Sequence, residues 1–81
     1  MAKFSVNAPT SGTFYRSPYP EDPPFVEVGQ KVKAGDPVCI VESMKVFMEV
    51  RTERAGTVRR ILVKNEDAVM TSQPLIELQT A

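Results

Sequence analysis

Val32-Lys33-Ala34-Gly35-Asp36-Pro37-Val38-Cys39-Ile40-Val41 and Val69-Met70-Thr71-Ser72-Gln73-Pro74-Leu75-Ile76-Glu77-Leu78 are two variants of one pattern, set 37 residues apart. Val32 falls on Val69, Pro37 on Pro74, Val38 on Leu75, Cys39 on Ile76 and Val41 on Leu78. A repeat at fixed spacing implies a repeated structural unit. Upstream, Ser11-Gly12-Thr13 matches Ala55-Gly56-Thr57 at a spacing of 44, so the first half holds seven extra residues between Thr13 and Phe25. The alternative is chance, since short Val, Gly and Pro motifs recur in any small β protein.

Outside the repeat the pattern is the same: short runs rich in Val and Ile, broken by Gly, Pro, Asn and Asp, which is the signature of strands and tight turns. Strands are predicted at Lys3–Val6, Thr13–Tyr15, Phe25–Val26, Pro37–Glu42, Phe47–Arg51, Gly56–Ile61, Ala68–Val69 and Pro74–Leu78. No segment holds a 3.6-residue period, so no helix is expected to carry a site. The fold class expected is all-β: a flattened β-barrel or sandwich of two four-stranded antiparallel sheets with pseudo-twofold symmetry, neither half being large enough to bury its own apolar face. The seven extra residues fall in Arg16-Ser17-Pro18-Tyr19-Pro20-Glu21-Asp22-Pro23-Pro24. Four prolines there remove backbone donors and fix φ, which predicts a stiff protruding loop over roughly 16–24.

The two halves join at Glu42-Ser43-Met44-Lys45-Val46, whose counterpart in the other half is expected near Ala55 and Gly56. A tight turn there presents Lys45 to solvent, with the thioether chain of Met44 beside it. Most surface lysines are only solvated charges. Lys45 is singled out by its place at the junction of the repeat.

Composition removes several other function classes. The chain of 81 residues fits one small domain, 1–81, with no room for a catalytic domain beside the core. Lys plus Arg and Asp plus Glu both total 10, and no basic run exceeds Arg59-Arg60, so binding of nucleic acid by charge is not supported. With no histidine and one cysteine, a zinc cluster and an internal disulfide are excluded, and no metal is expected. Cys39, inside an apolar run, reads as a buried structural thiol. Neither a signal peptide nor a run of about 20 apolar residues is visible, so no membrane association is expected. The expected location is the cytoplasm, or the plastid stroma in a plant or alga. Beside the carboxylates Glu21, Asp22, Glu42, Glu66 and Asp67 there is no histidine or second cysteine to make a familiar nucleophile and base pair, so the chain is not expected to be an enzyme by itself.

From about Asn7 to Leu78 the chain resembles the biotinyl domain of the biotin carboxyl carrier proteins of acetyl-CoA carboxylases. Glu42-Ser43-Met44-Lys45 is similar to the family's Glu-Ala-Met-Lys, where biotin is joined by an amide to the lysine ε-nitrogen. Ser11-Gly12-Thr13-Phe14-Tyr15-Arg16-Ser17-Pro18 resembles the segment leading into the family's thumb, a loop that rests against the biotin rings. Phe25-Val26-Glu27-Val28-Gly29-Gln30-Lys31-Val32-Lys33-Ala34-Gly35-Asp36 is similar to the family's segment on the C-terminal side of that loop.

The resemblance implies biotin on Lys45, with Met44, Ser43, Glu42 and Val46 shaping the hairpin and its recognition by a ligase. Ser17, Pro18 and Tyr19 would be thumb contacts, Ser17 offering a hydroxyl near the ureido group. Implied partners are biotin protein ligase, biotin carboxylase and carboxyltransferase, with the isolated domain a monomer. The implied role is to shuttle a carboxyl group between the latter two for malonyl-CoA synthesis in fatty acid biosynthesis. Ser43 replaces the usual alanine, and Val46-Phe47 departs from the residues commonest after the lysine. Three alternatives stand: a carrier of another biotin-dependent acyl-CoA carboxylase, an unmodified barrel acting as an assembly adaptor, and a lipoyl domain, although the last usually has Asp before its lysine.

Overall fold

The structure, a computed structural model, describes residues 2–80. Eight strands run in chain order: β1 (Ala2–Asn7), β2 (Gly12–Tyr15), β3 (Lys31–Val32), β4 (Pro37–Ser43), β5 (Val46–Arg51), β6 (Gly56–Ile61), β7 (Ala68–Val69) and β8 (Pro74–Thr80). They form two four-stranded antiparallel sheets, ordered β1-β8-β6-β3 and β5-β4-β2-β7. The all-β double sheet expected from the repeat is what the chain forms. Between the sheets lie Val6, Phe14, Val38, Val41, Val58, Val69, Leu75, Ile76 and Leu78, all buried. Cys39 is fully buried, and loss of hydration pushes its thiol pKa up to about 12, which makes it an inert packing group.

The pseudo-twofold relation is carried down to single hydrogen bonds. Phe14 N donates to Asp67 O at 2.9 Å, and its counterpart Val58 N donates to Gln30 O at 2.8 Å. Ala8 N reaches Gln73 O at 2.9 Å while Thr52 N reaches Asp36 O at 3.0 Å. Asp36 and Gln73 then turn their side chains back to accept from Lys33 N and Met70 N, both at 2.9 Å. Gly12 and Gly56, the shared glycines of the repeat, each lie against a neighbouring strand's carbonyl. A Cβ on Gly56 would come 2.7 Å from Gln79 O, and one on Gly12 would overlap Glu42 O, so neither position admits a side chain.

Three expectations need correction. Phe25–Val26 is not a strand: Val26 is buried and Phe25 packs on the core from a loop, so the apolar pair anchors the chain without laddering. Lys31–Val32 is a strand that was not predicted, although its equally short counterpart in the repeat, Ala68–Val69, was. The counterpart of the Lys45 turn is not Ala55 and Gly56. Ser43 pairs with Val46 across that turn as Thr80 pairs with Ala2, so the symmetry relates the lysine turn to the open ends of β1 and β8.

Candidate functional site: the lysine hairpin and the groove beside it

β4 and β5 pair down to Ser43 and Val46, leaving only Met44 and Lys45 to reverse the chain. A two-residue hairpin favours turns whose twist matches that of the strands, which requires φ > 0 at both central residues in the type I′ form. Met44 and Lys45 adopt φ of 52° and 65°. Neither is the Asn or Gly usual in that turn, and each L-residue held there costs roughly 1–2 kcal/mol. Lys45 is exposed and has no hydrogen-bond or ion-pair partner among the described residues. Around it Met44 is 93% exposed, Val46 58% and Phe47 62%, so the tip is a lysine ringed by apolar side chains.

Behind the tip a groove of about 580 Å³ runs along the outer face of the sheet β5-β4-β2-β7. Its floor is Tyr15, Ile40 and Phe47. The ladder explains their meeting: Ile40 pairs with Tyr15 on one side of β4, and Phe47 pairs with Glu42 on the other. The rings of Tyr15 and Phe47 lie 6.3 Å apart at 41°, a tilted aromatic contact. The Tyr15 hydroxyl donates to Glu42 Oε1 at 3.2 Å. Partial burial, then that hydrogen bond to Glu42, hold the phenol above its ordinary pKa, so it stays protonated at neutral pH.

One wall of the groove is Ser17, Pro18, Tyr19 and Pro20; the other is Asn65 and Glu66 in the turn between β6 and β7. Ser17 Oγ donates to Tyr19 O at 3.0 Å, so its proton is committed within the loop and its lone pairs remain to accept.

The sequence-derived site residues therefore fall into two groups. Ser17, Pro18 and Tyr19 line the groove, whereas Ser43, Met44, Lys45 and Val46 form the tip and do not. Glu42 connects them through Tyr15. As groove residues, Tyr15, Ile40, Phe47, Asn65 and Glu66 were missed. Nothing in the apolar run of β4 separates Ile40 from its neighbours, and only the register shows that it meets Tyr15 and Phe47. The described residues contain no cluster of three or more metal-ligating side chains, and no helix among them is long and apolar enough to cross a membrane.

The family described as "Biotin-requiring enzyme" matches residues 5–78. A biotin carboxyl carrier protein of acetyl-CoA carboxylase from Haemophilus influenzae is 50% identical over 74 residues, covering 91% of this chain and 48% of the relative. The chain belongs to this biotin-requiring family. The family is described by its requirement for biotin, and the relative from Haemophilus influenzae is named as a carboxyl carrier.

The Pseudomonas aeruginosa carrier is 48% identical over 73 residues, covering 90% of this chain and 47% of that one. A chloroplastic carrier of Arabidopsis thaliana is 46% identical over 70 residues, covering 86% and 28%. The chain thus spans about half the length, or less, of the curated relatives it matches, which include bacterial and chloroplastic carriers. Among solved structures, the urea carboxylase of Kluyveromyces lactis superposes with a TM-score of 0.81 at 30% identity, over 98% of this chain and 6% of that one.

Proposed function

We propose that Lys45 is the biotin-bearing lysine and that the chain serves as the carboxyl carrier of an acetyl-CoA carboxylase. The observation that carries this reading is a solvent-exposed lysine, without a partner among the described residues, at the apex of a two-residue hairpin inside the matched span of the family. A partner ligase would present biotin as an activated acyl group. The free Lys45 amine attacks that carbonyl, the amide bond forms, the nucleotide leaves and the amine gives up a proton.

The groove suits the attached ring system. Tyr15, Ile40, Phe47 and Pro18 offer apolar surface to a bicycle, and Ser17 and Tyr19 stand at the loop edge with polar atoms for a urea. When bound, biotin supplies a ureido nitrogen that accepts and releases a carboxyl group. The chain's own residues tether it, orient it and limit water around it. Biotin carboxylase and carboxyltransferase are the partners between which it would move, and the cytoplasm or the plastid stroma is the compartment that fits the relatives.

Replacing Lys45→Arg keeps the charge and the exposed position but removes the acylable amine. Coexpressed with a biotin ligase, the native chain should gain the mass of one biotin in an intact-mass spectrum, and the variant should fold normally yet gain none. A biotin increment persisting on the variant overturns the assignment.

A further inference from the structure

The internal symmetry supplies a control for the proline-rich loop, since the second half has the same β turn without the insertion. Gly29 N donates to Val58 O in one half and Glu66 N to Phe14 O in the other, so residues 28 and 65 occupy equivalent places in the two turns. At 28 the residue is valine, 63% exposed. At 65 it is asparagine, and its Oδ1 accepts from Arg16 N at 2.9 Å.

Arg16 is the first residue of the loop. Tyr15 faces Ile40 as Arg60 faces Glu77, so past the β-bulge of β6 the counterpart of Arg16 is Ile61, which pairs with Ile76 as an ordinary member of the sheet. Arg16 is used differently at each of its three polar groups. Its N–H goes to Asn65; its carbonyl accepts from Phe25 N at 2.8 Å, closing the loop at its neck; and its guanidinium Nη2 donates to Val26 O at 3.2 Å. Beyond this neck Pro18, Tyr19, Pro20, Glu21, Asp22 and Pro23 are exposed. The hydrogen bonds within it, Ser17 Oγ to Tyr19 O and Asp22 N to Tyr19 O, stiffen the loop but do not fix it to the body.

We infer that Asn65 and Arg16 are positioning residues that set the loop against the groove, Asn65 fixing the near leg and Arg16 joining it to the far leg at Phe25 and Val26. The far leg is already held, because Val26 is buried and Phe25 packs on the core. The near leg is anchored by buried Phe14 only as far as the end of β2; Arg16 itself adds no apolar side chain to the core, and Asn65 takes that part. Because Asn65 also lines the groove, the residue that locks the wall opposite it is part of the surface the wall faces. This inference rests on the reading that the groove seats the ring of biotin on Lys45. Its effect on that ring is indirect, through the loop.

The test uses the biotinylated chain and its Asn65→Ala and Asn65→Asp variants. Loss of one neutral hydrogen bond should speed amide hydrogen exchange at Arg16 roughly five- to tenfold. It should also raise the mobility of Tyr19 and Asp22 amides in ¹⁵N relaxation, and weaken nuclear Overhauser contacts between the biotin ring and Pro18 and Tyr19. Biotin mass increment and strand amide exchange should not change. Asn65→Asp, which keeps the accepting oxygen, should restore the native behaviour. Loop amides as rigid in Asn65→Ala as in the native chain overturn the inference. Equal loosening in Asn65→Asp also overturns it, since the accepting oxygen would then be irrelevant. A native chain whose biotin ring makes no contact with the groove overturns the seating of the ring, and with it the claim that Asn65 positions that ring. An absent mass increment instead overturns the attachment itself.

Discussion

Met44 and Lys45 hold backbone conformations that their side chains disfavour, with φ of 52° and 65°. The same left-handed region is occupied at matched places in the two halves by Gly29 and Glu66, and by Gly35 and Ser72. At Met44 the side chain gains nothing from packing in return, being 93% exposed. Asparagine tolerates this region and is preferred at the first place of a type I′ turn. Met44→Asn should therefore stabilise the fold by about 0.5–1 kcal/mol, raising the melting temperature by roughly 2–8 °C in a domain of this size. Calorimetry on the unmodified chain checks this; an unchanged or lower melting point would mean that the exposed methionine stabilises the turn. If stability rises while the rate of biotin attachment falls, the methionine is kept for recognition by the ligase.

At the scale of elements, what the sequence shows and hides depends on how each segment is stabilised. The long central strands β4 and β8 were legible because their apolar runs repeat at a constant spacing, and the Lys45 turn because it joins the repeats. The shared glycines were legible too, since a backbone carbonyl against each forbids a side chain. Of the two-residue strands, β7 was read at Ala68–Val69 and β3 was not, although the repeat sets Lys31-Val32 over that same pair. Phe25 and Val26 imitate a strand because core burial without a ladder uses the same residues. The groove floor was hidden for another reason: Tyr15, Ile40 and Phe47 come from three strands and meet only through register. The proline-rich loop was legible as an insertion, and its neck predicts how it tolerates shortening. Deleting Pro18 to Asp22 leaves the buried Val26 and the Asn65 contact in place. Loop length itself contributes little to stability. The shortened chain should melt within roughly 4 °C of the native one, a change of about 0.5 kcal/mol, and still accept biotin by mass, while the attached ring relaxes faster in solution. A loss of more than about 10 °C would show that the loop is part of the core.

The whole molecule is not two repeats set side by side. Of the six strand pairings among the described residues, β2·β4 lies within the first half and β6·β8 within the second, whereas β1·β8, β2·β7, β3·β6 and β4·β5 all cross between them. Each sheet therefore contains strands from both halves, and the Lys45 turn is the covalent link between two interlocked units. Each unit alone would expose edges and an unburied face, a poor basis for independent stability. Peptides 1–45 and 46–81 should then each give the narrow amide dispersion of an unfolded chain. Mixed, they should associate through the four crossing ladders and recover dispersed strand resonances, with a melting temperature that rises with concentration because the link is gone. Either peptide folding alone would show that one internal strand pairing and its apolar face suffice, contrary to the ladder count. Mixing without recovery would show that the turn at Met44 and Lys45, besides presenting the lysine, is needed to bring the two halves together.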